Sequence, residues 1–465
     1  MIGPRPLLVK EARALVPLWA AAMAVIVAYP LTGYRNIQEL AVLAFVFGSL
    51  AMGAHSIGHE YSHRTLAILL AQPVERRRIL LTKFAVLAAL LLSMGAAFSF
   101  LPYDIGPQLA PAIVFLPVIG GLFVAPWMTM VARNQLGGVM LTGLIGGWSM
   151  IATSVAAVKL SGLDAREAEQ LGLVIWAGMM YAFAVISATV TWRTFMRLEA
   201  IEGGGRELHL PRYFTARNTA RGGQPLWSLI RKELRLQQLT FAIAAIFVAI
   251  WMAAFLRSAV GDSLQAARPV LGVLSAIYLL AIGMTAGSLA SAEERQSGML
   301  ESQQLLPVPA WQQWFIKAAV AIGLALLLGI GPPALLIVAG GPSAFVREML
   351  PAPHLAALLI VIVTACGLYV SSLASSGVRA LTLVFPFVTG LYLTLQFAAS
   401  IMRSSRGDAV FFGAIPLAAL LLFFAGSNHR RVDRNFSRAV LQIGAAAAVA
   451  AAGVPLLRAI LDLTA

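Results

Sequence analysis

Leu7-Leu8-Val9-Lys10-Glu11 and Leu229-Ile230-Arg231-Lys232-Glu233 are two versions of one phrase, and each leads into a long apolar run. Apolar segments follow the first copy at 15–33, 38–57, 79–101, 109–132, 136–158 and 171–192. The second copy is followed by 239–256, 269–291, 315–340, 355–374, 379–400 and 409–426, with one further run at 439–457. Runs of roughly 17–25 apolar residues are what helices need to cross a hydrocarbon layer of about 30 Å. Backbone groups in lipid must be bonded within the span, and no short runs of alternating polarity suggest a barrel. The expected fold is therefore all-α: a polytopic transmembrane protein of two tandem six-helix repeats plus an extra C-terminal span.

Composition agrees with that reading. Of 465 residues, 59% are hydrophobic and only 12% charged, far below the roughly 25% charged content of soluble domains. The net charge of +14 would suit a nucleic-acid binder, but the arginines sit between apolar runs rather than along one polar face, so no nucleic-acid partner is expected. Lys and Arg concentrate on alternate connections, the same side as the N-terminus, which places Met1 in the cytoplasm. The expected location is a bacterial cell (inner) membrane. Cys366 is the single cysteine and lies inside an apolar run, so neither a disulfide nor a cysteine-based metal site is available.

A second match fixes the register of the repeat. At one constant separation, Gly53 pairs with Gly287, Glu60 with Glu294, Leu66 with Leu300, Pro73 with Pro307, Val74 with Val308 and Lys83 with Lys317. The organisation that follows is a first six-span half over 1–192 and a cytoplasmic basic linker over 193–228, which contains Gly203-Gly204-Gly205. A second six-span half covers 229–426, and 427–465 forms a basic loop and the thirteenth span. The linker is too short to hide an ATPase domain.

The repeated inner loop carries a motif. Glu293-Glu294-Arg295, Gly298, Leu300-Glu301, Pro307-Val308 and Lys317 resemble the signature loop of type 2 ABC exporter permeases, in which a glutamate closing the second span precedes a Gly-Thr-Leu-Glu stretch, Pro-Val and a lysine opening the third. The first half keeps Glu60, Thr65-Leu66, Pro73, Val74 and Lys83, but has Arg64 in place of the glycine. The resemblance implies that these loops dock on ATPase subunits, and that the segments around Lys10-Glu11 and Lys232-Glu233 lie along the membrane surface as interfacial helices. It also implies that second and fifth spans line the pathway, with Met52, Trp148, Phe385 and Phe387 as wall candidates.

No Gly-x-x-x-x-Gly-Lys-Ser/Thr stretch occurs in the chain, so no phosphate-cradling loop is present. The resemblance then implies a transport subunit that is not itself an enzyme and needs no cofactor. Its partners would be two copies of a separate P-loop ABC ATPase, which hold ATP and Mg, together with the lipid bilayer. Ionisable residues are nearly absent from mid-span, which disfavours ion coupling and favours a hydrophobic or amphipathic substrate.

Two rival readings come from the same residues. His59-Glu60-Tyr61-Ser62-His63 is a literal H-E-x-x-H, with His55 one turn earlier, and such a helix can hold zinc while the glutamate activates water. The repeat already accounts for Glu60, so the intramembrane metalloprotease is the alternative. A non-transporting scaffold of the same fold is another. Finally, Gly137-Gly138, Gly143 and Gly146-Gly147 in the fifth span predict close packing against a neighbouring helix.

Overall fold

The computed structural model describes residues 4–32, 35–62, 65, 69, 74–100, 110–160, 165–197, 225–259, 268–296, 308–338, 353–401, 406–431 and 436–464. They are almost entirely helical and contain no strand. The chain divides into two compact units, Met1–Asn218 and Thr219–Ala465.

In the first unit the helices are α1 (Pro4–Thr32), α2 (Arg35–Ser62), α3 (Arg76–Ser99), α4 (Ala110–Ile119), α5 (Ala125–Ala132), α6 (Gln135–Leu160) and α7 (Ala165–Met196). The second unit holds α8 (Pro225–Leu236), α9 (Gln238–Ala259), α10 (Arg268–Gln296), α11 (Ala310–Val338), α12 (Pro353–Leu373), α13 (Gly377–Ile401), α14 (Arg406–His429) and α15 (Phe436–Thr464). Among the described residues each of the thirteen apolar runs is helical, the run 109–132 being divided between α4, a π-helical turn and α5. Among the described residues 8 helices are long and apolar enough to cross a bilayer, and the bent pair formed by α8 and α9 makes up to 9. The protein is a multi-pass membrane protein.

The leading helices differ between the units. In the first, Lys10 and Glu11 belong to the continuous helix α1, whose span begins at Leu7. No separate leading helix is set off there. In the second unit α8 is a separate helix, bent by 56° from α9. The bend falls at Gln237, whose amide donates to the carbonyl of Ala286 at 2.8 Å and accepts from Thr240 at 2.7 Å. The corresponding residue of the first unit is Leu15, a fully buried apolar side chain that continues the helix.

The second helix forms the centre of the first unit, buried along most of its length. Its crossing with the fourth segment is made by glycine. A Cβ on Gly53 would lie 1.9 Å from the Gly121 carbonyl oxygen, and one on Gly121 would lie 2.4 Å from that of Ser49. Gly121 sits in a π-helical turn, Gly120–Val124, which joins α4 to α5. There the Ala125 amide reaches back five residues to Gly120, one residue before Pro126, which has no amide to donate. The second unit repeats the crossing between α10 and α12: a Cβ on Gly287 would lie 2.4 Å from the Thr364 oxygen and 2.8 Å from the Gly367 Cα.

Polar groups inside both units find partners that the helices alone cannot supply. Pro332 and Pro333 lie inside α11, and Pro332 has no amide to donate to the Leu328 carbonyl one turn earlier. The Tyr278 hydroxyl donates to it instead, while its ring stacks on Phe247 at 3.8 Å. The Ser371 hydroxyl accepts from the amides of both Ser291 and Ala292, each at 2.9 Å. The terminal helix α15 is clamped to α14 by a reciprocal amide pair: Asn428 Nδ2 donates to Gln442 Oε1 at 3.0 Å and Gln442 Nε2 returns to Asn428 Oδ1 at 3.1 Å.

The glycine series of α6 divides. Gly138 is packed, since a Cβ there would lie 2.0 Å from Thr129 Oγ1, and Gly137 is held against Ala132. At Gly143, Gly146 and Gly147 a Cβ would meet nothing within 4 Å. Close packing of the whole stripe is thus confined, among the described residues, to its first turn.

Candidate functional site: a buried charge cluster in each unit

In both units the residues of the repeated phrase and the repeated loop meet. Lys10 and Glu11 are adjacent on α1 and therefore point about 100° apart around the helix. Lys10 stays largely exposed while Glu11 turns inward, 3% exposed. Glu60 lies at the end of α2 and Lys83 two turns into α3, both buried.

The Lys83 ammonium donates to Glu11 Oε1 at 2.7 Å, to the Ser56 carbonyl at 3.0 Å and to Glu60 Oε1 at 3.3 Å. Its three donors thus meet three acceptors. Lys10 reaches the same Glu60 oxygen at 2.8 Å, and the Thr65 hydroxyl donates to the other.

The second unit builds the same object. Lys317 donates to Glu233 at 2.9 Å and 3.0 Å and to the Ala290 carbonyl at 2.7 Å, and it pairs with Glu294 at 2.7 Å. Lys232 pairs with Glu294 and stands 3.6 Å from Glu233. Ala290 and Ser56 are repeat mates, each four residues before the glutamate that shares its lysine. Met299 replaces Thr65 in the second copy.

Each cluster holds two ammonium and two carboxylate groups, so it is neutral as a whole. Neutrality and full donor use are what permit charge burial at the edge of an apolar span, where an unpaired ion would cost several kcal/mol. Mechanically, the cluster ties the leading helix to the end of the second helix and the start of the third.

This geometry changes the expected disposition of the loop charges. Glu60, Glu294, Lys83 and Lys317 are not presented outward but are almost wholly enclosed. Glu293 and Arg295 are half-buried on the last turn of α10, and Val74 and Val308 lie just before the third helix of each unit. Pro73, Gly298, Glu301 and Pro307 lie outside the described residues.

The wall candidates distribute unevenly. Met52 and Phe385 are buried, and Phe387 packs against the Tyr369 ring at 5.2 Å. The Trp148 side chain lies outside the described residues.

The H-E-x-x-H stretch has other uses for its groups. His55 Nδ1 lies 3.2 Å from Gln135 Oε1, and the His55 and His59 rings meet edge-on at 5.2 Å. Glu60 is engaged by two ammonium groups, which removes it as a base for a metal-bound water. His63 lies outside the described residues, among which no group of three metal-binding side chains occurs.

Sequence reasoning identified all four members of each cluster, but as separate features. It missed Ser371, Gln237 and the Asn428–Gln442 pair. Ser371 and Gln442 are polar residues inside apolar runs, and Gln237 and Asn428 lie two residues beyond the ends of theirs; such placement is the signal that marks a buried partner to be found.

Comparison with known proteins bears on the first unit. Residues 8–210 match the family described as ABC-2 family transporter protein. No curated protein and no solved structure shows significant similarity to the chain. The matched stretch holds the first charge cluster and its three helices, so this part of the chain is similar to ABC-2 transporter proteins.

Proposed function

We propose that this permease is driven by separate ATPase subunits, one engaging each unit, and that it exports a hydrophobic or amphipathic substrate from the cytoplasm of a bacterial cell. The observation that carries the reading is the recurrence of one buried Lys-Glu-Glu-Lys cluster in both units. Movement imposed on the loop after Glu60 or Glu294 is transferred through the cluster to the leading and third helices together, because each lysine binds both glutamates. The coupling role is thus transmission inside the permease, and the exposed residues of the loops make the contact with the ATPase. The absence of a phosphate-binding loop from the sequence supports a separate polypeptide for nucleotide hydrolysis. The concentration of basic residues on the cluster side supports a cytoplasmic N-terminus.

The test is a reconstituted complex with the partner ATPase, comparing Glu294→Gln and Glu60→Gln for substrate-stimulated hydrolysis with assembly checked in parallel. The second loop keeps the family's glycine and Leu-Glu, so Glu294→Gln is expected to lower stimulation about tenfold, more than Glu60→Gln. Full stimulation in both variants, with intact assembly, removes the transmission role.

A further inference from the structure

The first unit carries, at the start of its third span, a run of arginines whose repeat equivalents in the second unit are uncharged. Arg76, Arg77 and Arg78 open α3, and Arg193 and Arg197 stand one turn apart at the end of α7. The two helix ends are tied together: Arg76 Nη1 donates to the Met196 carbonyl at 2.8 Å. Beneath the tie, Phe195 packs in one apolar cluster with Ile57, Ile79, Leu80 and Met130, which holds the ends in register. Arg77, Arg78, Arg193 and Arg197 remain exposed. The carboxylate that the described residues set against this group is Glu75, 3.5 Å from Arg78.

Position decides what such a surface can bind. The apolar spans begin at Arg76 and end at Met196, so the guanidinium groups sit where both helices leave the hydrocarbon. Directly beside them Leu81 and Trp192 are exposed, at 49% and 37%. A ligand that satisfies both parts has a negative head and an apolar tail. The general tendency of inner loops to be basic does not account for the patch, because the positions equivalent to Arg76, Arg77 and Arg78 are Ala310, Trp311 and Gln312. Those residues open α11 on the same side of the repeat.

We propose that the ends of α3 and α7 form a headgroup site for an anionic phospholipid, with Arg77, Arg193 and Arg197 contacting the phosphate and Leu81 and Trp192 the upper acyl chain. Arg76 positions the two helices.

The experiment is native mass spectrometry of the full chain released from nanodiscs containing equal phosphatidylglycerol and phosphatidylcholine. Each basic residue near an anionic surface contributes about fivefold in partition, so the wild type is expected to retain phosphatidylglycerol with a preference of at least about tenfold. The variant Arg77→Gln/Arg193→Gln/Arg197→Gln, which leaves Arg76 and the Arg78–Glu75 pair intact, is expected to lose most of that preference. Its thermal unfolding in pure phosphatidylcholine should match the wild type, and the single variant Arg193→Gln gives a milder form of the same comparison. A control at the second unit, Arg430→Gln/Arg431→Gln, should keep the preference. The proposal is overturned if the wild type shows none, if the triple variant keeps it, if the control loses as much, or if inorganic phosphate alone displaces the lipid.

Discussion

Lys317 donates to the carbonyl of Ala290 at 2.7 Å, four residues before the Glu294 with which it also pairs. Lys83 stands in the same relation to Ser56 and Glu60. A lysine bound at once to a helix carbonyl and to the carboxylate one turn later locks onto the helix as a two-point grip, so rotation of α2 or α10 must carry the third helix along.

Removing Lys83 should leave the buried Glu11 carboxylate without a cation and Glu60 with Lys10 alone. Lys83→Met is expected to cost about 3–5 kcal/mol and to lower the melting temperature in detergent markedly. Adding Glu11→Gln to Lys83→Met should restore part of the loss, since one uncompensated charge is removed. Additive losses in the double variant would mean that the two residues do not act on each other.

The glycine crossings make a sharper steric forecast. Gly53→Ala and Gly287→Ala would drive a Cβ into backbone atoms at 1.9 Å and 2.4 Å, and backbone cannot yield as a side chain can. Both should reduce folded yield, with overpacking costs of about 1–3 kcal/mol or more. Gly143→Ala meets open space and should be tolerated. The check is size-exclusion yield of the three variants side by side.

Tyr278→Phe removes the donor that serves the Leu328 carbonyl, with an expected cost of about 1–3 kcal/mol. In a Pro332→Ala background the helix regains its own amide donor for that carbonyl. The same Tyr278→Phe change should then cost much less, which a double-mutant cycle of unfolding measurements reads directly.

For the terminal helix, Gln442→Leu should weaken the hold of α15 by about 1 kcal/mol, the scale of a buried side-chain hydrogen bond between membrane helices. Asn428→Leu/Gln442→Leu should be no worse than either single change. Protease sensitivity of the 427–465 segment reports the loosening.

The helices were legible because an apolar run of span length leaves a chain in lipid no other choice of backbone bonding. The repeat was legible too, since Lys10-Glu11, Glu60 and Lys83 recur in order as Lys232-Glu233, Glu294 and Lys317. What could not be read was their mutual engagement. A charge at the end of a span looks the same in sequence whether it faces water or a lysine two helices away, and the loop charges were accordingly expected to face a partner. The leading helices were expected to match because their Lys-Glu phrases match, yet the sequences diverge just beyond, where Ala14-Leu15-Val16-Pro17 stand against Leu236-Gln237-Gln238-Leu239, and one helix runs on while the other bends. The glycines of α6 show the same limit: spacing marks where a helix can come close, but only Gly137 and Gly138 have a neighbour that does.

The continuous α1 and the bent α8–α9 pair give the two units unlike mechanics. In the first, α1 is a single rod, and a push on its first turns tilts the entire span as a lever does. In the second, α8 and α9 meet at an elbow whose axle is Gln237, fastened to α10 through the Ala286 carbonyl. A push on α8 can swing about that axle while α9 stays in place, and its force then passes through Lys232 and Glu233 into the third helix instead of up the first. Under the proposed drive by ATPase subunits, the first unit would convert pressure into tilt and the second into rotation, so equal strokes beneath the membrane would produce unequal strokes within it.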